Sequence, residues 1–258
     1  SVGFDLLVKD SKSFTYKNAY TEGSGSFVYG NVDVEFSNVS KVQFISNKAE
    51  GNGLISGKSI NFTIKDAQDV VFSGNSGNTA AIAYKNQMSD SSSACFTISG
   101  VTGKTLISNN TASSVFRNID ALFYDNASLV FDGNKAQIFT AYLSTTNIAF
   151  VDCGEVVFSN NVKDVDDGLL FASQGNMDVT FSNCEKLEIK GNSCIEYLFS
   201  AAMGSHGEWT FENVSNVNIA ENTATDGVLL NGTRTTVSDL VFTGGSGTFS
   251  IHDNTARN

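Results

Sequence analysis

The sequence predicts an all-β chain folded as a right-handed parallel β-helix, a three-strand solenoid of about eight turns. Three observations predict this fold: a repeat of about 30 residues, apolar residues two positions apart within each repeat, and many turn residues without any proline. The 258 residues include 27 Asn, 23 Gly and 20 Phe but no Pro. Asn and Gly favour tight turns, Phe favours strands, and proline would interrupt a strand that is paired on both sides.

The repeat is centred on a short phrase in which an aromatic or aliphatic residue is followed, three positions later, by Asn. The phrase occurs eight times between Phe44 and Asn254. Asn tolerates the left-handed backbone of a sharp corner, and stacked Asn amides can hydrogen-bond along a column. We therefore expect one Asn per turn to form a structural ladder, which contains Asn47, Asn75, Asn109, Asn134, Asn161, Asn192, Asn222 and Asn254.

Each repeat also contains two other apolar clusters, so it supplies three short strands. One cluster is an apolar pair, two residues apart, that begins eight to ten residues upstream of the phrase, and residues with this spacing share one face of a strand. Stacked turns, about 4.8 Å apart, would bury these pairs against each other. The second members should form one internal column, which contains Phe36, Phe62, Phe96, Phe123, Phe150, Phe181, Phe211 and Phe242. An antiparallel sandwich would not keep one phrase at a constant period.

The repeat divides the chain into two parts. Residues 1–33 lack the spacing of the later columns and are expected to form an irregular N-terminal turn or a cap. Residues 34–258 contain the parallel β-helix repeats, and the sequence stops inside a repeat without an amphipathic capping helix. The C-terminal end is therefore expected to be uncapped, as in a segment of a longer solenoid.

These repeats resemble the passenger domains of the chlamydial polymorphic membrane proteins, a family with many Phe-x-x-Asn motifs interleaved with a Gly-Gly-Ala-aliphatic motif. The similarity covers about residues 34–258, and Ile or Leu replaces Phe in four of the eight phrases. The second motif is degenerate, as in Gly51–Ile55 and Asp226–Leu229. The intact first motif stands at Phe44–Asn47, Phe72–Asn75, Phe131–Asn134 and Phe158–Asn161.

The resemblance implies an extracellular, surface-displayed, adhesin-like passenger that is secreted by an autotransporter route. Its expected partner is a host-cell surface receptor, a glycan or a neighbouring protein, and self-association is a further possibility. Such a passenger is anchored in the outer membrane through a region that is absent from this chain. Two other functions stay open: a β-helical polysaccharide lyase or hydrolase, and a purely structural stalk.

The net charge and the absence of catalytic and nucleotide-binding motifs exclude several classes of function. With 16 Lys and Arg against 27 Asp and Glu, the chain has a net charge of −11 and no cluster of cations for a phosphate backbone, so a nucleic acid partner is not expected. No apolar run approaches the length of a membrane span. We find no convergent acid, base or nucleotide-binding loop, and expect neither catalysis nor a cofactor.

One acidic turn is a candidate calcium site. Asp164, Asp166 and Asp167 precede Gly168, and carboxylates with backbone carbonyls can hold calcium. The alternative is a solvated acidic turn without a metal.

Two of the four cysteines are expected to stack in neighbouring turns. Cys153 and Cys184 each follow a first-strand Phe by three residues. Each can be a small buried residue, or the two can form a disulfide between turns, although in-register parallel strands would strain that bond.

Strand alternation predicts an exposed apolar patch. Leu122, Tyr124, Val130 and Val157 are expected to face outward on consecutive turns and to form an interaction surface. In the alternative, a long turn at residues 111–120 folds over the patch and covers it. The outward column that contains two of these residues is expected to hold Gln43, Val71, Thr105, Val130, Val157, Glu188, Asn218 and Ser250.

Overall fold

The computed structural model describes residues 3–86, 93–163, 168–201, 207–225, 230–232 and 238–256. Within these ranges the chain is all-β and forms a solenoid of about eight turns, which confirms the predicted parallel β-helix. Strands from successive turns pair in parallel, as between residues 31–37 and 59–65. Each turn therefore buries its apolar face against the turns before and after it.

The described residues form 27 strands, several of which pass round a corner without interruption. In chain order they are β1 (Gly3–Lys17), β2 (Tyr20–Thr21), β3 (Gly25–Ile45), β4 (Lys48–Ala49), β5 (Gly53–Lys65), β6 (Asp69–Ser73), β7 (Ser76–Gly77), β8 (Ala80–Lys85), β9 (Ala94–Ser99), β10 (Lys104–Ser108), β11 (Thr111–Arg117), β12 (Asp120–Tyr124), β13 (Ser128–Asp132), β14 (Lys135–Val151), β15 (Glu155–Ser159), β16 (Val162–Lys163), β17 (Gly168–Ser182), β18 (Lys186–Lys190), β19 (Ser193–Cys194), β20 (Tyr197–Ala201), β21 (Gly207–Glu212), β22 (Asn216–Ala220), β23 (Thr223–Ala224), β24 (Leu230–Gly232), β25 (Ser238–Thr243), β26 (Phe249–His252) and β27 (Thr255–Ala256).

Three faces recur in every complete turn. In one turn of β3 and β5, the first face is residues 31–37, the second face is residues 41–45 and the third face is residues 53–57. The corner between the first and second faces is a column of Asp, Asn and Gly with positive φ, such as Asn38 at 53° and Gly100 at 64°. These residue types adopt left-handed backbone at little cost, which explains the sharp corner.

The expected single Phe column on the first face is divided between two neighbouring inward columns. Phe62 pairs with Val34 and Phe96, whereas Phe36 pairs with Ile64. The prediction of one column was therefore wrong for Phe62 and Phe96, although both are fully buried. A shift of two residues keeps a side chain on the same face, so the core tolerates it.

From Phe123 onward the members of the column stack as expected, whereas Ile64 and Ile98 separate Phe36 from Phe123. Rings of Phe123 and Phe150 are 5.2 Å apart between centroids, and those of Phe150 and Phe181 are 4.6 Å apart. Phe211 and Phe242 continue the stack. The spacing follows the distance between paired strands, so each ring packs on its equivalent in the next turn.

A second correction concerns the second face in β10. Ile107 pairs with Phe72 and Phe131, and Thr105 is buried at the position of Val70. Thr105, which was expected to face outward, therefore points into the core, and Leu106 takes the outward position. A shift of one residue exchanges the two faces of a strand, so this difference moves every side chain of β10.

The Asn ladder follows the corrected register. Asn110 occupies the column and is fully buried, whereas Asn109 is exposed with a φ of 54°. The assignment of Asn109 to the ladder was thus wrong. The column that hydrogen-bonds through the core contains Asn47, Asn75, Asn110, Asn134, Asn161, Asn192, Asn222 and Asn254.

Every link of the ladder has the same geometry. The backbone N–H and the Nδ2 of one Asn both donate to Oδ1 of the Asn in the next turn, at 3.1 and 2.9 Å for Asn134 and Asn161. The same Nδ2 also donates to a backbone carbonyl of the preceding turn, at 2.9 Å from Asn134 to Ile107. That carbonyl belongs to the first residue of the preceding phrase, so the three-residue spacing between an apolar residue and Asn has a direct structural cause.

The N-terminal segment is more regular than its sequence predicted. Residues 3–9 pair in register with residues 31–37, and Tyr16 pairs with Phe44. Ala19 occupies the ladder position, and its N–H donates to Asn47 Oδ1 at 3.0 Å. The expectation of an irregular turn is therefore corrected: an Ala in place of Asn concealed a regular turn.

Candidate interaction surface

The second face carries a continuous apolar ridge on its outer side. Val71, Leu106, Val130 and Val157 pair in direct succession over four turns, and we call these four residues the ridge. Val130 was expected to be exposed but is almost fully buried, at 8%, whereas the other three are partly exposed. β-Branched and aliphatic side chains on a solvent-facing strand leave apolar area that a partner can bury.

Polar side chains border the ridge on both sides. On one side, the Ser128 hydroxyl donates to Glu155 Oε1 at 2.7 Å. On the other side, the Ser159 hydroxyl donates to Asp132 Oδ1 at the same distance. An apolar centre with a polar rim is the usual anatomy of a protein–protein interface.

Residues 111–120 do not cover the ridge. Residues 111–117 form β11, which pairs with β8 and β14 on the third face, and Asp120 begins β12 on the first face. The alternative in which this segment folds over the patch is therefore wrong.

The other two predicted patch residues lie on the first face. Leu122 pairs with Ala149, and Tyr124 pairs with Val151, so both are partly exposed on the outer side. Burial, and to a smaller extent the nearby Cys95 thiol, raises the pKa of the Tyr124 hydroxyl. The structure thus brings Val130 and Val157 together and places Leu122 and Tyr124 on a different face.

The corner that separates these two faces is polar. A shallow concavity of about 430 Å³ is lined there by residues of three consecutive turns, including Asp125, Asp152 and Gly154. Asn183 Nδ2 donates to Asp152 Oδ1 at 3.0 Å. The predicted four-residue patch is consequently two apolar surfaces with this corner between them.

No protein-family model matches the chain, and neither a curated protein nor a solved structure is significantly similar to it.

The candidate calcium turn, which contains Asp164, Asp166 and Asp167, lies outside the described residues. Within the described ranges, no group of three or more His, Cys, Asp or Glu side chains is arranged to hold a metal ion. The same ranges contain no helix of the length and apolarity needed to cross a membrane.

Cys153 and Cys184 stack in consecutive turns as free, buried thiols. Cys153 Sγ donates to the carbonyls of Phe123 and Val151 at 3.7 and 3.5 Å. Cys184 Sγ makes the equivalent bonds to Phe150 and Ser182. The pKa of the Cys184 thiol is raised mainly by a hydrogen bond with Cys153 and, to a smaller extent, by burial. The thiols thus act as hydrogen-bond donors at the inner side of the corner.

Sequence reasoning missed Leu106 because two Asn residues follow it. Asn109 follows Leu106 by three residues, and Asn110 follows Ile107 by three residues, so both fit the phrase. The register that ends at Asn109 places Lys104 in an inward column, and the cost of burying that charge is the signal that favours Asn110.

Proposed function

We propose that this chain is a non-enzymatic, surface-exposed binding rod that attaches to a partner protein through the ridge. The resemblance of its repeats to an adhesin-like passenger supports attachment to a host-cell surface receptor as the biological role. A cell-surface or secreted location and an outer-membrane anchor outside this chain are part of the same proposal.

One observation carries the proposal: four apolar side chains stand in a row on the outer side of the second face. The strand alternation that faces them outward would equally suit polar residues, and Gln43 and Asn218 occupy the same column in other turns. Solenoid stability therefore does not require apolar residues there. Apolar residues in this column favour binding instead, because burial of such a row stabilises a complex by roughly 25 cal/mol for each Å² of apolar area.

The test is binding of the fluorescently labelled protein to cultured epithelial cells. The variant Leu106→Asp with Val157→Asp adds two charges to the ridge, and we expect saturable binding to be lost. The matched control, Gln43→Asp with Asn218→Asp, adds the same charges to the same column and should bind normally. Both variants should keep the thermal melting temperature of the parent within a few degrees, because all four residues face solvent.

Three outcomes would contradict the proposal. Equal binding by both variants would exclude the ridge as the attachment surface. Release of reducing ends from pectin, alginate or glycosaminoglycan by the parent protein would support the polysaccharide-degrading alternative. Absence of any saturable binding to cells would favour the structural stalk.

A further inference from the structure

A β-bulge in β14 projects a leucine from the third corner of the solenoid, where the third face meets the first. Tyr142 pairs with Gln174 of β17 and Thr145 pairs with Asn176, so Leu143 and Ser144 together oppose the single residue Gly175. Leu143 is 66% exposed, which is the highest value among the large apolar side chains that the structure describes. Bulges of this kind redirect a side chain and are typical of functional positions.

The backbone at Leu143 is unfavourable for leucine. Its φ is 52°, and the other non-glycine residues with positive φ in the described ranges are Asn, Asp, Ser or Glu. A left-handed conformation costs a bulky residue roughly 1–2 kcal/mol, whereas glycine adopts it freely. Neither burial nor backbone preference explains an apolar side chain at this position.

The bulge is held in place from the preceding turn. Asn118 Oδ1 accepts hydrogen bonds from the Tyr142 N–H at 2.7 Å and from the Ser144 hydroxyl at 3.1 Å. Asn118 is itself 3% exposed. Leu143 is thus presented by a bulge that is fixed on both sides.

A cation without a carboxylate partner lies beside the bulge. The guanidinium carbon of Arg117 is 4.9 Å from the centroid of the Tyr142 ring. Among the residues that the structure describes, no carboxylate lies within ion-pair distance of Arg117, and its Nε has no hydrogen-bond acceptor. The Nδ2 of Asn118 is also buried without an acceptor. Both of these nitrogen atoms are buried, so a ligand can reach only the exposed part of the Arg117 side chain, where a cation favours oxygen acceptors.

We propose that Leu143, Tyr142 and Arg117 form a docking surface for an extended acidic segment of a partner protein. A Glu or Asp carboxylate of that segment binds the terminal nitrogens of Arg117, and an adjacent aliphatic side chain packs on Leu143. Charge complementarity selects this occupant, since the Arg117 guanidinium has no carboxylate partner among the described residues. Arg and Tyr are the residue types that most often dominate binding energy at interfaces. This surface is distinct from the ridge, so it does not depend on the proposed function.

The direct test is a nuclear magnetic resonance titration of protein labelled with ¹⁵N at the arginine Nε. The chain contains three arginines, Arg117, Arg234 and Arg257, so three signals are expected, and the variant Arg117→Lys identifies one of them. The probe is the blocked peptide Gly-Leu-Glu-Leu-Gly, and the control peptide has Gln in place of Glu. We expect the Arg117 signal to shift and saturate with the Glu peptide only. Equal shifts with both peptides, no shift, or shifts confined to Arg234 and Arg257 would overturn the proposal.

Substitution of Leu143 separates docking from structure. Leu143→Gly removes the apolar contact and relieves the backbone, so we expect about tenfold weaker peptide binding with an unchanged or higher melting temperature. Leu7→Gly, which removes another exposed leucine, should leave peptide affinity unchanged. A lower melting temperature in Leu143→Gly with unchanged affinity would show that Leu143 is structural. Concentration-dependent dimerisation that only Leu143→Gly abolishes, without a peptide effect, would assign the surface to a second copy of the chain.

Discussion

Asn126 and Cys153 occupy the same corner in successive turns and donate hydrogen bonds to equivalent carbonyl oxygens. Asn126 Nδ2 bonds the carbonyls of Ile98 and Tyr124, both at 3.0 Å. The paired residues of the next turn, Phe123 and Val151, supply the carbonyls that Cys153 bonds. A thiol thus replaces an amide as donor at the first corner. Among the described residues the Oδ1 of Asn126 receives no hydrogen bond, so the inner column that contains Asn126 and Cys153 forms no Asn ladder.

The ladder corner should therefore contribute more stability than the first corner. Asn134→Ala removes an acceptor that receives two bonds from Asn110 and leaves those buried donors unpaired. We expect a loss of at least about 3 kcal/mol in the free energy of unfolding, against about 1 kcal/mol or less for Asn126→Ala. Urea denaturation of the two variants measures the difference. Equal losses would show that the ladder bonds add nothing beyond side-chain packing.

The register of β10 can be tested with one substitution at two adjacent positions. Asn109→Gly should change stability by less than about 0.5 kcal/mol, because the residue is exposed and has the left-handed backbone that glycine accepts. Asn110→Gly breaks the ladder and should cost about 3 kcal/mol. Chemical denaturation distinguishes the two. The opposite order would restore Asn109 to the ladder and place Thr105 outside.

The stacked rings should stabilise the centre of the rod more than its last described turn. Phe150 is fully buried between Phe123 and Phe181, so Phe150→Ala leaves a cavity and should cost about 3–5 kcal/mol. Phe242 is 42% exposed, and Phe242→Ala should cost less than half as much. A loss at Phe242 equal to that at Phe150 would contradict the stacked core as the main source of stability.

Titration of the Cys194 thiol should lower the free energy of unfolding at alkaline pH. Burial raises the pKa of this thiol from 9.0 to about 12, so the folded chain keeps a proton that the unfolded chain loses above pH 9. The thiol therefore contributes stability below pH 9, and this contribution disappears as the pH rises from 9 towards 12. Cys194→Ala should show a smaller fall in unfolding free energy between pH 8 and pH 10.5. Alanine already occupies this column at Ala224, so the variant should fold. Parallel curves for the two proteins would exclude Cys194 as the titrating group.

The solenoid was predictable because its signal is distributed over many columns, and a register error of two residues leaves the faces of a strand unchanged. Placing Phe62 in the wrong column moved it by two residues, which kept it inside. Placing Asn109 in the ladder moved β10 by one residue, which put Leu106 inside and Thr105 outside. Because strand side chains alternate with a period of two, a shift of one residue exchanges inward and outward positions, whereas a shift of two residues leaves them unchanged.

The candidate sites were less predictable than the fold. Val130 and Val157 were found from alternation alone, but alternation could not show that a polar corner separates them from Leu122 and Tyr124. The bulge at Leu143 has no glycine in its own strand to mark it, and the glycine that makes room for it, Gly175, lies about 30 residues later in the next turn. Such a pairing depends on tertiary register, which local sequence does not encode.

The ladder keeps its geometry while the length of chain between its members varies widely. Asn75 and Asn110 are 35 residues apart, and Asn110 and Asn134 are only 24 apart, yet both links have the same two hydrogen bonds. The difference in length is absorbed elsewhere in the turn, where segments lengthen or shorten without altering the stack. The Asn column fixes the position of one corner of every turn, whatever the length of chain in the rest of that turn. Insertions that create new surface loops can therefore accumulate on the far side of the rod without disturbing its axis.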